Sequence, residues 1–289
     1  MSGELEGVSM KLTVAAAQMS SGSDRPRNLE EAVRLVSEAA DRGAHYVQLP
    51  EYFNYLGPFS GFASAAEPVP GPTTTRMAQL AKSRSLTLHL GSLLEESPEP
   101  GKFFNTSIVL APSGEIVATY RKIHLFDVNV PDAIVHRESD IIAPGDEMVV
   151  ARLEGFILGL SICFDLRFPE LYRELALAGA EVIAIPAAFN AVTGRAHWDA
   201  LVRARAIENL AFVIAAAQVG TTAEGIATYG HSLIVDPWGD VLAESISDQS
   251  EVLVATLDLS EVARRRAQIA VMDSRRPDVY DRAVRVAND

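Results

Sequence analysis

The sequence predicts an α/β protein layered helix–sheet–sheet–helix, and three observations carry that reading. Short apolar runs that suit buried strands alternate with segments whose apolar residues recur at helical spacing. The order of elements before residue 126 begins again after residue 146, which points to two sheets of similar build. Strands such as 183–188 and 213–217 carry no polar alternation, so they need cover on both faces, from helices outside and the other sheet inside. Numerous alanines in these strands allow two sheets to approach closely.

The first strand spans residues 12–18. Asn28 is a candidate helix cap, with Glu30 and Glu31 near the positive end of the helix dipole. Leu29, Ala32, Val33, Val36, Ala39 and Ala40 follow at helical spacing, and Gly43 ends the run. Residues 44–49 form the next strand and deliver Pro50 and Glu51. A helix over 74–84 precedes strands at 86–93, 106–110 and 116–120, the last delivering Arg121 and Lys122. Residues 126–146 read as a charged, proline-containing loop, and so long a loop in a compact protein is functional or disordered. The second half then runs strand 156–162, helix 169–178, strand 181–187, helix 197–209, and strands 211–218, 231–235, 241–243 and 251–257. We divide the chain into a flexible extension over 1–10 and a single domain over 11–289, whose basic tail from about 260 packs on the body or reaches another subunit.

Composition narrows the function classes. The chain has 289 residues, 48% of them hydrophobic, and a net charge of −13. An acidic surface lacks the cations that nucleic acid or an anionic membrane requires, so neither is expected as a partner. No apolar run is long enough for a spanning helix. One cysteine excludes an internal disulfide and suits a reducing, cytoplasmic setting.

That cysteine, Cys163, ends the apolar run 156–162 where the chain turns toward a helix, the place where open α/β sheets carry reactive groups. A nucleophilic thiol needs a base and donors for the developing oxyanion. None of the six histidines has metal-ligand spacing or a protease-like context, so a zinc site is not expected, and His197 and His231 read as structural. Glu51 and Lys122 both sit at ends of apolar strands, as Cys163 does, and together can sandwich the thiol. Spacing alone favours the plainer alternative, a buried Glu51–Lys122 salt bridge without chemistry. Arg167 and Glu170 are placed for an ion pair at the turn. Trp198 and Trp238 read as packing anchors. Arg195 lies in a loop opening a helix, where it either holds a substrate carboxylate or is a solvated surface residue.

Three blocks are recognisable: Leu49-Pro50-Glu51, the segment 120–127 (Tyr-Arg-Lys-Ile-His-Leu-Phe-Asp), and 162–170 (Ile-Cys-Phe-Asp-Leu-Arg-Phe-Pro-Glu). They resemble the signature blocks of the nitrilase (carbon–nitrogen hydrolase) superfamily, with further similarity at 188–190, 193–198, 203–209, 229–232 and 236–239. The resemblance implies a four-layer αββα sandwich of two mixed sheets flanked by helices. It also implies Glu51 as general base, Lys122 as oxyanion stabiliser and Cys163 as nucleophile. Phe164 is expected to supply a second oxyanion donor from its backbone. Glu138 is expected to bond near Lys122, and Phe189 and Asn190 to support the substrate. The blocks resemble most the branch of omega-amidase and deaminated-glutathione amidase, with Arg195 and Tyr52 as departures. The implied reaction is cofactor-free hydrolysis of a small-molecule amide through a thioester. A carbamoyl amidohydrolase and a non-catalytic binding protein remain as alternatives. Self-association into dimers or larger assemblies is also implied.

Overall fold

The computed structural model describes residues 11–130, 134–222, 225, 227–280 and 282; the proposed extension over 1–10 lies outside them. In chain order the first half comprises β1 (Lys11–Gln18), α1 (Arg25–Asp41), β2 (Tyr46–Gln48), α2 (Phe62–Ala65), α3 (Pro72–Arg84), β3 (Thr87–Glu96), β4 (Phe103–Leu110), β5 (Ile116–Arg121), β6 (Asp127–Val130) and β7 (Ile134–Arg137). The second half comprises β8 (Val150–Leu153), β9 (Phe156–Leu160), α4 (Pro169–Leu177), β10 (Val182–Ala184), α5 (Ala191–Asn209), β11 (Phe212–Ala215), β12 (Val219–Thr221), β13 (Ala227–Tyr229), β14 (Leu233–Val235), β15 (Val241–Glu244), β16 (Glu251–Asp258), α6 (Ser260–Gln268) and α7 (Pro277–Tyr280).

Two six-stranded mixed sheets result, in the orders β16-β1-β2-β3-β4-β5 and β8-β9-β10-β11-β14-β15. Their pairing follows one pattern. In each, the first pair is antiparallel, the next two are parallel and the last two are antiparallel. The repeated element order thus has a physical counterpart, and the expected sandwich of two mixed sheets with flanking helices is the fold.

Side-chain alternation separates the layers. On β1, Val14 and Ala16 join the core that includes the second sheet, whereas Ala15 and Ala17 join the core beneath α1 and α3. Tyr46 and Val47 on β2 divide in the same way. Leu35, Val36, Met77 and Ala81 fill the α1/α3 layer, and Leu171, Leu175, Trp198 and Val202 fill the layer beneath α4 and α5. The tail packs on this side: Arg266 donates to the carbonyls of Ala180 and Asn209, and Arg275 pairs with Glu174.

Several local expectations are corrected. Asp24, not Asn28, caps α1, accepting from Arg27 N at 3.1 Å, because Pro26 presets the first turn two residues later. Asn28 is buried inside the helix and donates to the carbonyls of Gly22 and Asn54. α5 begins at Ala191 rather than 197, capped by the Asn190 side chain. Gly194, in its first turns, is a close-approach residue: a Cβ there would lie 2.5 Å from the Tyr229 ring. The 126–146 loop contains the β6–β7 hairpin and a 3-10 turn at Glu138–Asp140. Trp198 is the anchor expected, buried and donating to the His231 carbonyl at 2.7 Å. Trp238 is not an anchor; it is half exposed beneath the Arg265 guanidinium. Among the described residues no helix is long and apolar enough to cross a membrane.

One glycine matters for placing the site. A Cβ on Gly91 of β3 would meet the Leu49 carbonyl oxygen at 1.9 Å and the Pro50 carbonyl oxygen at 2.5 Å, so only glycine lets β3 pass the segment that delivers Glu51. Because the obstacle is backbone, Gly91→Ala should destabilise the fold by about 3 kcal/mol, read as a lowered urea midpoint with an unchanged slope.

Candidate active site

Three strand ends converge. Glu51 follows β2 after Pro50, in a turn where Tyr52 takes a left-handed backbone (φ 55°). The turn is fastened on three sides: Tyr52 N donates to Ser92 Oγ at 3.0 Å, Phe53 N to the Ser92 carbonyl at 3.2 Å, and Gln218 Nε2 to the Glu51 carbonyl at 2.9 Å. Lys122 follows β5, its N–H donating to the Asn105 carbonyl at 2.9 Å. Cys163 follows β9 and is also left-handed (φ 46°), a conformation costing a non-glycine residue about 1–3 kcal/mol. Its N–H donates to the Pro186 carbonyl at 2.9 Å, which ties the Cys163 turn to the chain leaving β10.

A buried carboxylate holds that turn against the Lys122 segment. Asp165, fully buried, accepts from Ile162 N (2.8 Å), Tyr120 OH (2.7 Å), His124 N (3.1 Å) and His124 Nδ1 (2.7 Å). His124 in turn stacks on Phe168, centroids 3.7 Å apart. From α5, Arg205 donates through Nε and Nη2 to the Leu166 carbonyl at 3.0 and 2.6 Å.

Glu51, Lys122 and Glu138 form a buried charge cluster. The Lys122 ammonium donates to Glu51 Oε1 at 3.0 Å and to Glu138 Oε1 and Oε2 at 3.0 and 2.8 Å. Glu51 Oε1 also accepts from Asn105 Nδ2 at 2.8 Å, and Oε2 from Ala188 N at 2.8 Å. Glu138 also accepts from Phe126 N at 2.7 Å and from Tyr52 OH at 3.1 Å. Burial opposes the charge on Lys122, but the Glu138 and Glu51 carboxylates overcome it and hold the ammonium well above its ordinary range. Burial likewise pushes Glu138 up, and Lys122 with its hydrogen bonds and those from Phe126 N and Asn105 outweighs it, leaving the carboxyl below its usual value. The Cys163 thiol moves the other way: burial, then the negative charge of Glu51, push it well above its usual range, against the pull of Lys122. Both causes favour the protonated thiol over the thiolate, with the Glu51 side chain beside it.

These groups face a cavity of about 620 Å³ whose walls include Glu51, Lys122, Glu138 and Cys163 together with Tyr52, Phe59, Phe62, Phe126, His136 and Phe164. Phe189 and Asn190 line it, and the Asn190 carboxamide oxygen is engaged by Val192 N as the cap of α5. The Phe164 amide opens the 3-10 turn Cys163–Arg167, at the end where backbone N–H groups have no acceptor within the helix. Arg195 does not line the cavity. It is exposed on the first turns of α5, so the surface alternative holds. Arg167 forms no ion pair with Glu170; it lies over the Phe164 and Phe189 rings and contacts His197 Nδ1 at 3.3 Å. Asn105, Asp165 and Gln218 are participants that sequence reasoning missed. The available signal was a polar residue inside an apolar strand or beside the lone cysteine. Among the described residues no group of three or more His, Cys, Asp or Glu is placed to hold a metal ion.

The carbon–nitrogen hydrolase profile matches residues 13–267. An omega-amidase of Mus musculus is 39% identical over 267 residues, covering 92% of this chain and 96% of that protein. A deaminated glutathione amidase of Bos taurus is 41% identical over 273 residues, covering 92% and 83%. The crystal structure of the C. elegans NitFhit protein superposes with a TM-score of 0.85 at 34% identity, covering 95% of this chain and 67% of that one. The chain belongs to the carbon–nitrogen hydrolase family. Within the nitrilase superfamily it falls in the omega-amidase branch, as a hydrolase of amide C–N bonds other than peptide bonds.

The charge cluster makes stability pH-dependent. Because the Glu138 carboxyl lies below 4.5 in the folded protein, the unfolded chain takes up the proton first as the solution is acidified. Its stabilising contribution is complete above about pH 4.5 and is lost as pH falls through the depressed folded value. Thermal unfolding between about pH 7 and pH 3 should show the wild-type Tm dropping in that window, while Glu138→Gln starts lower and varies less.

Proposed function

We propose that the protein hydrolyses a small linear amide to a carboxylic acid and ammonia through a Cys163 thioester. The observation that carries this reading is the Glu51 carboxylate, held by Lys122 at 3.0 Å beside the Cys163 thiol at the cavity wall. Glu51 takes the thiol proton as sulfur attacks the carbonyl carbon. The oxyanion is held by the Lys122 ammonium and the Phe164 N–H, and removing one such donor costs about 3 kcal/mol of barrier lowering. Glu51 returns the proton to the departing nitrogen, ammonia leaves, and the acyl group remains on sulfur. Glu51 then activates water, which releases the acid and restores the thiol. Glu138 shares the Lys122 ammonium and fixes its direction.

For the acyl side we propose the omega-amide of an α-keto acid, because the relatives at about 40% identity are an omega-amidase and a deaminated glutathione amidase. A cavity of about 620 Å³ leaves room for such chains. Ammonia release should be measured with linear amides, α-keto-ω-amides, N-carbamoyl compounds and nitriles, together with mass spectrometry of the intact protein. The expected result is turnover of amides, highest for α-keto-ω-amides, with an acyl adduct on Cys163. Turnover confined to carbamoyl compounds, with carbon dioxide released, would overturn the substrate assignment. Cys163→Ala should retain the wild-type fold and lose activity by at least ~10⁴-fold; an active Cys163→Ala protein would refute the nucleophile.

A further inference from the structure

Asn105 lies on β4, fully buried, behind the cavity wall. Its side-chain NH2 donates to Glu51 Oε1 at 2.8 Å and to Glu138 Oε1 at 3.4 Å, while its backbone carbonyl accepts from Lys122 N at 2.9 Å. One residue therefore touches all three members of the charge cluster. Its own Oδ1 is buried without a hydrogen-bond partner among the described residues. Burying an unsatisfied amide oxygen is unfavourable, so the side chain is retained for what its nitrogen does.

The two carboxylates are close enough for their Oε1 atoms to share one ammonium, at 3.0 Å each. Paired carboxylates ordinarily relieve their repulsion by taking up a single shared proton. A proton trapped between Glu51 and Glu138 would fill the acceptor that the thiol needs. The other donors each serve one carboxylate: Ala188 N serves Glu51, and Phe126 N and Tyr52 OH serve Glu138. Among the described residues, Lys122 and Asn105 alone hydrogen-bond to both. Unlike lysine, the amide carries no charge and cannot give up its proton.

We infer that Asn105 is a positioning residue that keeps the Glu51–Glu138 pair free of a shared proton, leaving Glu51 able to accept the proton of Cys163. This rests on Glu51 being the base in the proposed reaction. The titratable groups facing the pair are Lys122 from the end of β5, Tyr52 from the Glu51 turn, His136 from β7 and Cys163 from the nucleophile turn. None of them bridges the two carboxylates as a neutral donor.

The test uses Asn105→Leu, similar in volume but without a donor, and Asn105→Ser, which keeps one. Alkylation of Cys163 by iodoacetamide, followed by intact-protein mass across pH, needs no substrate and reads the proton acceptor directly. Asn105→Leu should move the acid limb of the alkylation profile up by about one pH unit, slowing the reaction about fivefold at the wild-type midpoint, about tenfold well below it, and recovering at higher pH. Asn105→Ser should fall between. Amide turnover by the same variants should lose kcat over the same pH window with KM unchanged, since Asn105 does not line the cavity. A wild-type midpoint in a variant whose only change is a lower Tm would show Asn105 to be structural and overturn the inference. If Asn105→Leu does not fold, Asn105→Ser decides by the same midpoint. If the variants show the shift while wild type hydrolyses no amide, the inference stands and the amidase reading fails.

Discussion

The structure depends on an ammonium group buried where water cannot solvate it. Lys122 is 2% exposed, and an isolated charge at that depth would be strongly destabilising. It persists because two carboxylates, Glu51 and Glu138, meet it from different elements, and the carboxylates persist because backbone and side-chain donors complete their shells. Each charge is tolerable only in the presence of the other two. The three elements that deliver them, the turn after β2, the end of β5 and the 3-10 turn after β7, are therefore locked into one arrangement.

A second locking carboxylate works beside the first. Asp165 fastens the Cys163 turn to the Lys122 segment through Tyr120 and His124, and Arg205 holds the same turn from α5. The left-handed backbone of Cys163 is thereby maintained from both sides, by bonds from the two sheets and from a helix. Rigidity at the thiol is inherited from the packing of whole layers, not from the local turn alone.

Much of this was legible in the chain. The apolar runs ended within two residues of the observed strand ends, at Gln48, Arg121 and Leu160, because strand ends follow from local pattern. The repeated order of elements translated directly into two sheets with one pairing scheme. What escaped was non-local. Asn105 meets Glu51 across 54 positions and Asp165 meets His124 across 41, and no periodicity reports such encounters. The helix expected from 197 begins at Ala191, and Gly194 in its first turns admits the Tyr229 ring against it. That shift carried Arg195 away from the cavity and onto the surface. Asn28 misled because a side chain fit for capping is equally fit to tie two loops together from inside a helix.

The matching pairing scheme of the two sheets has a consequence for how function is divided along the chain. Glu51, Tyr52, Asn105, Lys122 and Glu138 all come from the first sheet and its connections, whereas Cys163, Phe164 and the Ala188 amide come from the second. The scaffold is nearly symmetric and the charge cluster is not: one half holds the two carboxylates and the ammonium, the other the thiol. Neither half carries the whole constellation, so it exists only as a property of the docked pair, and under the proposed reaction activity itself would report whether the two sheets have come together in register.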